Sequence, residues 1–303
     1  MRTSTVRRAG TALAVTALMS AAACSGPGQD GGGSRPDERA AGGAVDTASV
    51  TALQQVREKT GTARSARIEG TAEVGDSVAL KQSGTIDWAD GLTGSLTITY
   101  TGGTMGEALK RTGGDGSVRV RYLRDEYYAA MGDAFASELG GRSWIRYGLR
   151  DLAALGGAAG DVLKDQMRNS TPEQGVRALL ASGDVEKVGR EDVRGVSATH
   201  YSGTVDVAKL TARDSALNAE QLAAFKKQLA AAGVTTQTVD IWVDRDDLLV
   251  KKTERGRTAA GDFDTTVFYS DYGTEVSVEK PAASDTVDFR DVLKQQGGAA
   301  GAS

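Results

Sequence analysis

An α+β fold built on one large curved antiparallel sheet is predicted for this 303-residue chain by three observations. Long segments alternate apolar and polar residues, three others carry helix start and stop signals, and glycine-rich stretches flank a region of ordinary globular composition. The alternation is clearest where Leu96, Ile98 and Tyr100 interleave with Thr97 and Thr99. It recurs where Val118, Val120 and Tyr122 interleave with Arg119 and Arg121, and where Val239, Ile241 and Val243 interleave with Asp240, Trp242 and Asp244. A strand sends successive side chains to opposite faces, so each segment presents one apolar face. Weaker runs of the same kind cover 66–74, 79–88, 127–131, 143–147, 185–190, 196–207, 248–257, 262–272 and 275–279. Arg124-Asp125, Asp246-Asp247 and Tyr272-Gly273 stand where hairpin turns fall.

The first helix is predicted over 47–60, with Val50, Leu53 and Val56 on one side and Gly61 beyond its end. The second starts at Thr171-Pro172-Glu173-Gln174, an N-cap, a proline at the first helical position and a capping-box glutamine, and runs through Val176, Leu179 and Leu180 to Gly183. The third spans 218–232, with Gln221 three residues after Asn218, the stripe Leu222, Phe225 and Leu229, and Gly233 as the stop. Narrow stripes describe helices lying on a surface rather than buried all round. A less regular helical stretch is predicted over 151–168. A helix before each of two strand meanders, at 47–60 and at 218–232, forms a rough internal echo.

Composition removes several chemistries. One His and one Cys exclude histidine-cluster zinc sites and a disulfide scaffold, and no cofactor motif occurs. Glycine is abundant, at 39 residues, and is concentrated toward the N-terminus and the tail. Met1 to Arg8 holds three arginines and no acid, an uncharged apolar or small stretch follows to Met19, and Ala21-Ala22-Ala23 precedes Cys24. That order describes a signal peptide over residues 1–23, its apolar part about half the roughly 20 residues of a membrane span. Its removal lowers 36 Lys+Arg to 33 against 40 Asp+Glu, a net charge of −7. A nucleic-acid partner needs a basic face and is not expected.

Ala21-Ala22-Ala23-Cys24 resembles a bacterial lipobox, departing from it at Ala21, where leucine is usual. The resemblance implies a diacylglyceryl-modified, fatty-acylated Cys24 that anchors the mature chain to the outer face of the cell membrane, two acyl chains giving firm attachment. The same residues satisfy the A-x-A rule of ordinary cleavage, which would release a secreted protein. Residues 24–44 are almost all Gly, Ser, Pro, Ala and charge, a flexible tether with a reach on the order of 25 Å. Residues 45–290 are expected to form a single folded domain, and 291–303 a disordered tail.

Several segments together are similar to actinobacterial lipoproteins of the LppX/LprAFG type, within the LolA-like lipoprotein-carrier fold. They are the lipobox with its tether, Ser143-Trp144-Ile145-Arg146-Tyr147, and Gly195-Val196-Ser197-Ala198-Thr199-His200-Tyr201. Two late strands follow in order, Val239-Asp240-Ile241-Trp242-Val243-Asp244 and Phe268-Tyr269-Ser270-Asp271-Tyr272-Gly273, the latter leading to Val278-Glu279-Lys280-Pro281. The resemblance covers residues 47–290. It implies a strongly bent half-barrel with helices packed across its concave face, and an apolar cavity that carries an acylated lipid. Residues predicted to line that cavity are Leu96, Ile98, Tyr100, Val118, Val120, Tyr122, Leu222, Phe225, Val239, Ile241 and Val243. The same pattern describes an ordinary filled core.

Other candidates have plainer readings. His200 would have to serve any Ser-His-Asp triad, yet no G-x-S-x-G elbow is present, and a hydrogen-bonded structural histidine accounts for it. Asp244, Asp246 and Asp247 lack the spacing and glycine of a calcium loop and read as a charged turn. No glycine run has phosphate-loop spacing. Trp88, Trp144 and Trp242 read as packing or as a contact surface. The reading is therefore a non-enzymatic, membrane-anchored lipoprotein that binds or carries an acylated lipid, with a monomer favoured. The alternative is a filled-core extracytoplasmic binding or sensor lipoprotein acting through protein or cell-wall contacts.

Overall fold

The computed structural model describes residues 47–300 except 112, 131, 149–170, 183, 211–216 and 259. The signal peptide, Cys24, the tether and the helical stretch expected over 151–168 lie outside the described residues.

Helix α1 (Thr47–Thr62) leads into strands β1 (Ser65–Val74), β2 (Val78–Asp87) and β3 (Thr93–Gly102). Helix α2 (Gly103–Arg111) separates these from β4 (Ser117–Leu123) and β5 (Glu126–Ala130), and α3 (Asp133–Glu138) precedes β6 (Trp144–Gly148). Helix α4 (Glu173–Ser182), β7 (Glu186–Val193) and β8 (Val196–Asp206) follow, then α5 (Ala219–Ala231), β9 (Thr236–Val243), β10 (Leu249–Thr258) and β11 (Gly261–Ser270). A single 3₁₀ turn (Ala283–Asp285), β12 (Thr286–Asp288) and α6 (Phe289–Ala300) complete the described chain. The start of α5 has the capping box expected from Asn218 and Gln221: each side chain accepts a hydrogen bond from the other's backbone N–H.

The twelve described strands form one sheet in the order β12-β6-β5-β4-β3-β2-β1-β11-β10-β9-β8-β7, open at both edges among the described residues. Every pairing is antiparallel except that of β12 with β6. The two meanders join where β1 pairs with β11, bringing Ile68 opposite Tyr269. One row crosses the sheet through Tyr269, Ile68, Gly84, Leu96, Val120, Ala129, Ile145 and Val287. That row lies on the face covered by helices. Gly84 is needed in it because a Cβ would run into the Ser95 carbonyl and the Leu96 backbone.

The apolar sides of the helices bury against this face in two clusters. The larger gathers Leu53 and Val56 of α1, Val176 and Leu179 of α4, and Leu222, Phe225 and Leu229 of α5 over β8 to β11 and β1. The smaller gathers Leu109, Phe135, Leu139 and Val292 over β4 to β6 and β12. The other face carries no helix among the described residues and is largely polar, with small apolar groups around Trp242 and Trp144.

This is the α+β sheet with helices on one face that the sequence predicts. Three expectations are corrected. Segment 275–279 forms no strand, and Tyr272-Gly273 is not a hairpin turn. β11 is already paired on both sides, so the chain crosses to the free edge of β6, where β12 pairs, and Arg121 Nη1 donates to the Glu279 carbonyl at 2.7 Å on the way. The disordered tail expected from 291 is instead helix α6 as far as Ala300, because Val292 and Phe289 have apolar partners in the smaller cluster.

Candidate functional site

The predicted cavity residues on strands all point to the helix-covered face, as alternation requires, but they divide between the two clusters. Leu96, Leu222, Phe225, Val239, Ile241 and Val243 belong to the larger, and Val118 and Val120 to the smaller. Ile98 and Tyr100 pack against the smaller cluster, and Tyr122 touches both. Ile98, Tyr100 and Tyr122 are only half-buried. Strands β3 and β4 therefore form a seam between two packed regions.

A ladder of rings runs from this seam toward the sheet edge. Tyr122 stacks on Tyr127 at 6.2 Å, Tyr127 on Tyr147 at 4.5 Å with planes 5° apart, and Tyr147 leans on Phe289 at 4.7 Å. Burial pushes the Tyr122 hydroxyl up to about 12, helped by Tyr100, and burial likewise raises Tyr127, Tyr147 and Tyr100. All four stay neutral, so the ladder offers apolar ring faces with hydroxyl handles.

A buried ion pair sits on the same face. Lys252 Nζ lies 3.0 Å from Glu254 Oε2, both side chains mostly enclosed. Burial pulls the Lys252 ammonium down, yet the charge of Glu254, then that of Tyr269, and the Glu254 hydrogen bond together leave it raised. Sequence reasoning passed over this pair because Lys252 and Glu254 read as ordinary strand charges. Gly175, in the first turn of α4, was the available signal, since a glycine inside a helix marks a close approach.

His200 lies on the uncovered face. Its Nδ1 is 2.9 Å from Glu191 Oε1 and its Nε2 is 2.9 Å from Asp240 Oδ1, while its ring stacks on Trp242 at 4.2 Å. Both ring nitrogens thus face carboxylates, which leaves neither to take a proton from a serine. Burial pushes the Asp240 carboxyl up, but hydrogen bonds from Ser202, His200 and Arg255 outweigh it and hold it below the usual range. Trp242 Nε1 donates to Glu191 Oε2 at 2.9 Å, and Lys251 Nζ stands 3.7 Å over the indole. The Asp244 side chain accepts from the amides of Asp246 and Leu248, each at 2.9 Å, so its oxygen serves the turn. Trp88 is core, edge-on to Tyr272.

Among the described residues, no helix is long and apolar enough to cross a membrane. No family model matches the chain. A protein from Streptomyces griseus named for its position in the rplA-rplJ intergenic region is 72% identical over 254 residues, covering 84% of this chain and 83% of its own. A protein of Streptomyces coelicolor named "Putative lipoprotein" is 44% identical over 98% of this chain and 100% of its own. Among solved structures, the lipoprotein LppX of Mycobacterium tuberculosis is similar over 77% of this chain and 100% of its own, at 13% identity and TM-score 0.49. LprF of Mycobacterium bovis is similar over 80% of this chain and 100% of its own, at 12% identity and TM-score 0.48.

Proposed function

The chain belongs to the family of these two Streptomyces proteins, one of them bearing a lipoprotein name, and on that premise we propose that it is a lipid-anchored extracytoplasmic lipoprotein that takes up an acylated lipid against its helix-covered face. Cys24 is the anchor in this reading, and the tether holds the domain just off the outer face of the cell membrane. The observation that carries the lipid-binding role is the seam. Ile98, Tyr100 and Tyr122 stand half-buried between two clusters of buried apolar residues. Acyl chains entering there would exchange water for ring and aliphatic surface, at about 0.8 kcal/mol per CH₂ buried. The neutral tyrosine hydroxyls are suited to hydrogen-bond ester or headgroup oxygens. The role is one of binding, with no bond made or broken.

A second reading rests on how completely the larger cluster is packed: Leu53, Leu179, Ile241 and Leu249 are 0% exposed. A filled core of that kind suits a binding or sensor lipoprotein acting through its surface. Native mass spectrometry with organic extraction, on the full chain carrying Cys24→Ala and purified from an actinobacterial host, separates the two. A stoichiometric lipid supports the carrier reading, since the substitution removes the anchor. A clean apo mass with no uptake of added diacyl lipid overturns it in favour of the second.

A further inference from the structure

The face without helices holds a trough of about 460 Å³ across β1 to β4, walled at one end by Trp144 of β6. Register builds it in two rows. Arg67, Thr85, Ser95 and Arg121 lie side by side on successive strands, and so do Glu69, Ser83, Thr97 and Arg119. Each row spans three strand spacings, about 14 Å. Its two ends differ in charge. At the β1 end Arg67 is paired with Asp271 at 2.9 Å and Glu69 with Arg194 at 2.8 Å, so cation and anion offset each other. At the β4 end stand two guanidiniums and, among the described residues lining the trough, no acid. Arg119 has no ion pair among the described residues, and Arg121 donates to the Glu279 backbone carbonyl. Between the ends, the floor presents the hydroxyls of Ser83, Ser95 and Thr97.

Trp144 sets the orientation of the cationic end. The guanidinium carbons of Arg119 and Arg121 lie 5.3 and 4.8 Å from the centre of its ring. A ring contact consumes no N–H donor, so the donors of Arg119, and those of Arg121 not given to the Glu279 carbonyl, can meet an oxyanion, and arginine grips phosphate or carboxylate with parallel hydrogen bonds. The indole is buried beneath them, which makes Trp144 a positioning residue rather than a stacking surface.

We propose that this trough binds an acidic sugar, with its phosphate or carboxylate held by Arg119 and Arg121 and its hydroxyls over Ser83, Ser95 and Thr97. The charge asymmetry selects one anionic group at one end of a neutral, hydroxyl-rich body. A free anion would leave the serine and threonine floor unused, and a neutral sugar would leave the guanidinium edges unused. The site is separate from the lipid-binding face, and neither proposal depends on the other.

Isothermal titration of the full chain in detergent tests the inference with four probes: glucose 6-phosphate, trigalacturonate, maltotriose and inorganic phosphate. At least one acidic sugar is expected to bind ten-fold or more tighter than both maltotriose and inorganic phosphate. Arg119→Gln with Arg121→Gln is expected to weaken that binding at least ten-fold. Should that pair fail to fold, Arg119→Lys with Arg121→Lys keeps stem and charge but loses the planar fork, and a several-fold loss is expected. Ser95→Ala with Thr97→Val is expected to bring the acidic sugar down to the affinity of inorganic phosphate. Preference for trigalacturonate over glucose 6-phosphate would point to a polymer segment, and the reverse to a small phosphorylated sugar; either supports the site. Inorganic phosphate or maltotriose binding as tightly as the acidic sugars, or wild-type affinity in the arginine variants, overturns it.

Discussion

Gly175 of α4 lies directly against the aliphatic stem of Lys252 on β10, so close that a Cβ at residue 175 would collide with the lysine Cδ. The glycine lets the helix settle onto a strand whose inward side chain is long and charged, and Glu254 holds the ammonium beneath it. Gly175→Ala should therefore destabilise the protein by about 1–3 kcal/mol through overpacking, despite the better helix propensity of alanine, worth up to about 1 kcal/mol. Chemical denaturation of Gly175→Ala, Lys252→Ala and the double variant gives the coupling directly. A double variant no more stable than additivity predicts would show that the two residues do not constrain each other.

Asp240 gathers His200, Arg255 and Thr253 on the opposite face while only 4% exposed. Asp240→Ala strands those donors and should cost about 1–3 kcal/mol. Because the folded carboxyl is held below its ordinary value of 3.8, its contribution is fully present above that pH and is lost as the pH falls. Urea midpoints at pH 7 should thus separate wild type from variant more widely than midpoints taken in acid. Equal separation at both would sink the assignment.

Asp288 ties the C-terminal strand to the sheet edge. It accepts from Arg146 Nη1 at 2.6 Å and from Arg290 Nε at 2.9 Å, and these interactions, Arg290 first, hold its carboxyl at about 2. A depressed carboxylate stabilises the fold above its unfolded value of 3.8 and loses that contribution between 3.8 and about 2. Asp288→Asn should flatten the pH dependence of the melting temperature across that window while leaving the profile above pH 5 parallel to wild type. An unchanged acid limb would mean that the carboxylate is not coupled to folding.

The seam gives the sharpest test of lipid uptake. Val120 is an unsuitable probe despite its inward parity, since at 5% exposure it is enclosed by the smaller cluster. Ile98→Trp, at a half-buried position, should lower the fraction of chains carrying extractable lipid at least two-fold without lowering the melting temperature. Occupancy equal to wild type would remove Ile98 from the binding surface.

Much of this architecture is legible from local pattern. Period-two alternation at Leu96, Ile98 and Tyr100 and at Val118, Val120 and Tyr122 assigns their inward faces correctly, because successive side chains on a strand must oppose each other. Asn218 and Gln221 announce α5 because a capping box satisfies amides within a single turn. Helices α2, α3 and α6 and strand β12 were not anticipated: they are short, and their apolar residues gain burial only from distant partners such as Tyr147 for Phe289.

The sequence by itself determined which residues face the same way, since that depends on neighbours one to four positions apart. Only the tertiary structure decided what those residues meet. Pairing β1 with β11 joins residues some 200 positions apart, such as Arg67 and Ser270, and no local period encodes that order. The order splits the predicted cavity residues between two clusters and brings two alternating arginines of β4 beside Trp144 of β6. It also sets them opposite the hydroxyls of β3, turning an ordinary solvent-facing charge pattern into a recess with one cationic end.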